Sequence, residues 1–183
     1  MPDAPPSPGA SATGEGRGEG AAGTTVRPAT PADAEAIARL ADELNASQGE
    51  PTGLFTPDLI RREAFRDHPE FGLLVAERAG EVVGYALFHP TFATELGQRG
   101  LYIYDLGVTS SARGQGIGRA LVAGVARVAK VEGRGFLWWS TKAGNEGARA
   151  FYARLGAEEE ESWSHALFGE AFEHLAIVRA SVG

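Results

Sequence analysis

Leu101-Tyr102-Ile103-Tyr104-Asp105-Leu106-Gly107-Val108, then Thr109-Ser110-Ser111-Ala112, then Arg113-Gly114-Gln115-Gly116-Ile117-Gly118-Arg119, then an apolar-periodic segment to Val131: this run decides the fold. Its first piece is rich in aromatic and β-branched residues, which suit a pleated strand. In its last piece Ile117, Leu121, Val125 and Val128 share one face at helical spacing. Between them a glycine-rich turn opens directly into the helix. Such a turn aims unpaired backbone N–H groups and the positive end of the helix dipole at one spot. A phosphate or pyrophosphate is the natural occupant.

The glycine spacing narrows the ligand. A Walker-type loop needs a Lys after its last Gly, and none stands here. A dinucleotide fingerprint needs a third Gly where this chain has Arg119. What remains is Arg113-x-x-Gly116-x-Gly118. A glycine turn alone also serves plain tight turns, so the flanking chain has to supply the context.

Working outward, 183 residues suffice for one domain with a real core. The balance of 17 Lys+Arg against 24 Asp+Glu gives a net charge of −7, which argues against nucleic-acid binding and its basic footprint. An acidic surface mildly suits a cationic acceptor. The absence of cysteine removes disulfides, a thiolate nucleophile and a cysteine-based zinc site. His68, His89, His165 and His174 are scattered without metal-ligand spacing, so no metal is expected. No apolar run approaches membrane-spanning length and no signal core opens the chain, so no membrane partner and a cytoplasmic location are expected.

Residues 1–23 are Pro, Gly, Ala and Ser with a few charges, too poor in apolar surface to offset their ordering entropy, and are predicted to be a disordered tail. Residues 24–183 are predicted to form one domain. Thr25-Val26-Arg27 is a short strand. Thr30-Pro31-Ala32-Asp33 and Thr56-Pro57-Asp58 each start a helix, with Thr as N-cap and Pro at the first position. Phe71 to Glu77 and Val82 to His89 predict an antiparallel hairpin, followed by a loop from Pro90 to Gly100. Gly135 to Ser140 is a bulky apolar run suited to a buried strand. Asn145 opens a helix that Gly156 stops. Glu158 to Phe168 reads as two strands, Glu170 to Ala176 as a last helical turn or two. The order β-α-α-β-β-β-α-β-α-β-β describes a mixed α/β sheet flanked by helices.

From about Thr25 to Ala176 the chain resembles the GNAT superfamily of N-acetyltransferases, and within it the diamine acetyltransferase-like group. Val26-Arg27-Pro28-Ala29-Thr30-Pro31-Ala32-Asp33 resembles the group's opening. The strand ending in Asp105 with Arg113-x-x-Gly116-x-Gly118 resembles its CoA motif. Asn145 with Phe151-Tyr152 and Leu155-Gly156-Ala157 resembles its second cofactor motif. Trp163 ahead of a closing strand and the helix at Gly169-Glu170-Ala171 completes the likeness.

The resemblance implies acetyl-CoA as acyl donor, a small-molecule amine as acceptor and a homodimer. It implies that the N–H groups of Arg113, Gly114, Gln115, Gly116, Ile117 and Gly118 hold the pyrophosphate. Leu106 and Val108 would pair with the pantetheine arm through their main chain, with the Leu106 N–H polarising the acetyl carbonyl. Asn145 would bond the pantetheine, though Asn is equally a favoured N-cap. Tyr152 would sit near the sulfur. Chemistry supports it: amine attack on a thioester needs a proton for the departing thiolate, and a Tyr (pKa ~10) can supply a thiol (~8.5). With no cysteine to carry the acyl group, transfer is direct.

Tyr104, Asp105 and Trp163 are the candidate acceptor-side residues, with Asp105 receiving an ammonium or relaying its proton. Two positions depart from the diamine-type pattern. Tyr104 replaces a carboxylate, which weakens the attraction for a second ammonium, and Gly144 replaces a tryptophan. A non-catalytic acyl-CoA sensor and an enzyme acting on protein N-termini or lysines stay open as alternatives; a sensor has no need of a proton donor at Tyr152.

Overall fold

The computed structural model describes residues 18–19 and 23–177. Most of the tail predicted over 1–23 lies outside them. The chain falls into two compact units, residues 1–142 and 143–183, and the boundary runs inside the domain predicted over 24–183.

The first unit is built on one sheet whose strands lie in sequence order. They are β1 (Gly18–Glu19), β2 (Thr24–Pro28), β3 (Gly72–Arg78), β4 (Glu81–Ala93), β5 (Gln98–Val108) and β6 (Phe136–Trp138). Every pairing is antiparallel except β5 with β6, which is parallel. The helices are α1 (Ala34–Ser47), α2 (Pro57–Ala64) and α3 (Ile117–Val131). Strand alternation assigns the faces. Leu73, Val75, Tyr85 and Leu87 join Ile37, Leu40 and Ala41 of α1 and Ile60 of α2 in one buried cluster. On the other face α3 presses close: a Cβ on its Gly124 would lie 2.9 Å from both Leu74 Cδ1 and Val26 Cγ1. The central helix begins and ends where its periodicity predicts.

Thr56 caps α2 as predicted, accepting from the Leu59 N–H at 3.2 Å. Thr30 differs. Its hydroxyl and N–H both donate to Asp33, at 2.9 and 2.7 Å, because the carboxylate is the stronger acceptor. Arg27 forks onto the same carboxylate at 2.8 and 2.9 Å and also donates to Glu77. Arg27, first among these partners, holds the Asp33 carboxyl down at about 2.

The loop predicted from Pro90 to Gly100 is mostly strand. β4 runs on to Ala93, β5 starts at Gln98, and Pro90 pairs with Leu101. Proline is tolerated there because β3 begins opposite Phe88, which leaves β4 an edge beyond that point. The strand predicted as buried at Gly135 to Ser140 is a half-buried three-residue piece, with Trp138 exposed.

The second unit holds α4 (Glu146–Ala153) and α5 (Gly169–Ile177). Asn145 caps α4 by accepting from the Ala148 N–H at 3.1 Å. Gly156, at φ +83°, follows its end as predicted. The two strands predicted from Glu158 to Phe168 are absent; that segment is exposed and irregular throughout. Its four successive glutamates favour solvent, and among the described residues of this unit no strand offers it a ladder.

Candidate active site

Strand β5 carries an irregularity beside Asp105. Leu87 pairs with Asp105 but Phe88 pairs with Ile103, so Tyr104 is an extra residue in the strand. A bulge of this kind bends its strand and re-aims the neighbouring side chains. Tyr104 itself is exposed, while Asp105 and Leu106 are half-buried.

The same strand loses one neighbour here. Pairing with β6 covers Gly100 to Tyr102 and stops. The Thr109 N–H donates to the Val83 carbonyl of β4 at 2.9 Å. Alternation then turns the polar groups of Gly107 and Asp105 toward β4, and those of Leu106 and Val108 away from it, along an edge that no described strand covers. An extended chain with amide groups fits such an edge as an added strand. The Val108 carbonyl confirms the direction, since it accepts from Arg113 Nε at 3.0 Å. Through that contact the Arg113 side chain is tied to the end of β5.

At the turn, Gly114 has φ +75° and Gly116, the residue ahead of α3, has φ +81°. Both lie in the left-handed region that glycine alone adopts freely. A Cβ at Gly114 would meet nothing within 4 Å, so open space faces the main chain there. The first N–H groups of α3, which starts at Ile117, lack intrahelical acceptors. Ile117 has its side chain buried in the core, which leaves only its backbone toward the turn. Gln115 is exposed but tied to neighbouring protein groups: its amide donates to the Ser111 carbonyl at 3.1 Å, and its oxygen accepts from Arg78.

Two residues that sequence reasoning missed hold this region. Glu43 of α1 accepts from the Ser110 N–H at 2.6 Å and from the Thr109 hydroxyl at 3.1 Å, tying α1 to the segment between β5 and the turn. The Ser110 N–H, first among these donors, lowers the Glu43 pKa. Tyr85 of β4 is fully buried and donates its hydroxyl to Asp105 Oδ2 at 3.0 Å. Burial pushes the Asp105 carboxyl up, and the Tyr85 hydrogen bond opposes that shift in part. The helical face of α1 hides Glu43 among ordinary charged residues, and only a strand register would have revealed Tyr85.

In the second unit Tyr152 lies on α4, half-buried, with its ring 5.0 Å from Phe151 in edge contact. Burial pushes its phenol above the usual value, so it stays protonated at neutral pH. Asn145 is the cap of the same helix. Trp163 is exposed in the irregular segment. Among the described residues no group of three or more His, Asp or Glu is arranged to hold a metal ion, and no helix is long and apolar enough to cross a membrane.

This splayed strand beside a glycine-opened helix has close counterparts. The model of the acetyltransferase (GNAT) family matches residues 37–157, and the chain belongs to that family. It is an N-acetyltransferase. It is 34% identical over 173 residues to a thialysine N-epsilon-acetyltransferase of Mus musculus, covering 85% of this chain and 98% of that one. It is 33% identical over 82 residues to an L-ornithine N5-acetyltransferase of Arabidopsis thaliana, covering 45% of this chain and 36% of the relative. An integron cassette protein from the mobile metagenome of V. cholerae shares the fold, with a TM-score of 0.72 at 24% identity over 85% of this chain and 99% of that one.

Proposed function

We propose that the protein transfers the acetyl group of acetyl-CoA directly to a primary amine of a small molecule, a diamine or an amino-acid-like amine. One observation carries the reading. The uncovered β5 edge at Leu106 and Val108 runs into a turn whose glycines open the N-terminus of α3. The residues present fit the donor: an edge for its amide-bearing arm, and a glycine turn, open at Gly114, leading into the N–H groups of a helix start for its pyrophosphate.

When bound, acetyl-CoA supplies an activated acyl thioester. The Leu106 N–H donates to the acyl oxygen as negative charge gathers there. Asp105 faces the acceptor, holds its ammonium and takes up its proton. Tyr152, kept protonated by burial, gives a proton to the departing sulfur. Asn145 bonds the pantetheine arm while capping α4. Tyr104 and Trp163 border the acceptor's carbon chain. Thialysine and ornithine, the acceptors in the relatives' names, are amino acids with a terminal side-chain amine. That supports an amino-acid-like acceptor, as does Tyr104 where a second carboxylate would favour a diamine. A homodimer is the assembly proposed from the family likeness, read by sedimentation at working concentration.

Release of the free CoA thiol over a panel of lysine, thialysine, ornithine, linear diamines and acetylated peptides tests the reading. Turnover with a small amino-acid-like amine is expected. Thiol release with peptide lysines alone, or with no amine at all, overturns it.

A further inference from the structure

Tyr85 is the most deeply buried ionisable side chain near Asp105. Its ring lies in the cluster of α1, α2 and β3 side chains, fully shielded from solvent. Its cross-strand neighbour is Gly107, where a Cβ would come within 2.5 Å of Tyr85 Cε1. Any side chain at that position would push the ring away. Glycine there admits the phenol lengthwise across β5, and its hydroxyl reaches Asp105 Oδ2 at 3.0 Å. Among the described residues the Asp105 side chain makes this one hydrogen bond, through Oδ2, which leaves Oδ1 for an incoming group.

We propose that Tyr85 is a positioning residue for acetyl transfer: its buried hydroxyl, admitted by Gly107, fixes the Asp105 carboxylate with Oδ2 engaged and Oδ1 turned to the amine. This rests on the proposed role of Asp105 toward the acceptor. The physical case is a balance of two effects. A carboxylate at the half-buried strand end loses hydration, which favours its neutral form and would leave it unable to take up a proton. A hydrogen bond donated to the ionised form opposes that. Tyr85 is suited to the task because burial, first, and the nearby Asp105, second, push its own ionisation far upward, so it donates throughout the working pH range. The charged and titratable groups facing the pair are Asp42 of α1, whose charge also disfavours the phenolate, and Tyr85 itself from β4. Glu43 of α1 is committed to Ser110 and Thr109. The bulge at Tyr104 makes the geometry work, since it sets Asp105 rather than Tyr104 on the Tyr85 side of the strand.

The test is Tyr85→Phe in the full chain, which keeps the ring and removes the hydroxyl. Asp105 is titrated directly by 13C NMR of side-chain carboxyls, with its resonance assigned by Asp105→Asn. The Asp105 pKa is expected to rise by about one unit in Tyr85→Phe. The acidic limb of kcat/KM should move to higher pH by the same amount, about a tenfold loss at one unit below the wild-type limb. An unchanged Asp105 titration in the folded variant overturns the proposal. So does a uniform fall in kcat with the limb unmoved, which is what lost packing alone would give. If Tyr85→Phe melts before titration, the same titration is made in Gly107→Ala, whose Cβ would displace the Tyr85 ring: an Asp105 pKa above the wild-type value supports the proposal, and an unchanged one overturns it. If the wild type transfers no acetyl group while the NMR shift occurs, the proposed function fails and the Tyr85–Asp105 coupling stands.

Discussion

The turn from Arg113 to Gly118 and the strand end at Asp105 adjoin each other in the chain but are made of different material. The turn offers backbone: Gly114 and Gly116 carry positive φ, one of its side chains is buried in the core, and two others are turned onto neighbouring protein groups. The strand end works through side chains whose aim depends on a bulge in β5, a partner on β4 and a gap left by a glycine. A backbone site is specified by a few residue types at fixed spacing. A side-chain site is specified by register, which involves residues far apart in sequence.

Proton donation at the sulfur gives the largest effect that can break this division. Tyr152→Phe is expected to lower kcat about 100-fold or more while CoA affinity, measured by calorimetry, stays within about twofold. Equal losses in both would make Tyr152 a binding residue instead. At the turn the expectation reverses. Gly116→Val places a β-branched residue in the left-handed region, at about 1–2 kcal/mol of strain, and should weaken CoA binding tenfold or more. Retained affinity would show that the turn does not hold the phosphates.

The glycine spacing of the turn, the strand before it and the helix after it were all legible in the sequence, because each depends on local composition and period. So were the caps at Thr56 and Asn145. Tyr85 was not legible, since its partner lies twenty positions away and is reached only through the β4–β5 register. Glu43, across an α1-to-loop contact, escaped for the same reason. The strands predicted from Glu158 to Phe168 failed in the opposite direction: local residue types allowed them, but a strand needs a partner.

Two carboxylates with opposite shifts sharpen the comparison further. Asp33 is held low, at about 2, chiefly by Arg27. Its contribution is present above the unfolded carboxylate pKa and is lost as pH falls from about 4 toward 2; it is worth on the order of 2 kcal/mol. Asp105 is held high by burial. The folded state therefore retains its proton longer than the unfolded chain, and this contribution is lost as pH rises through the Asp105 titration. Thermal melts of Asp33→Asn and Asp105→Asn across pH 2–7 should show these opposite slopes relative to wild type. Parallel slopes would remove the distinction between a structural and a functional carboxylate.

The smallest expected effect belongs to Asn145. Asn145→Ala should cost about 1 kcal/mol in stability through the lost α4 cap. A fall in CoA affinity beyond that seen with Asn145→Ser, which keeps the cap, would reveal a contact with the pantetheine arm. Equal affinities would leave Asn145 a cap.

A crystal structure of the protein with bound coenzyme A tests the central claim most directly. The account predicts both linked phosphates within hydrogen-bond reach of the main-chain N–H groups between Arg113 and Gly118, with the amide-bearing arm laid along Leu106 and Val108. Phosphates held by side chains elsewhere, with that turn empty, would contradict it.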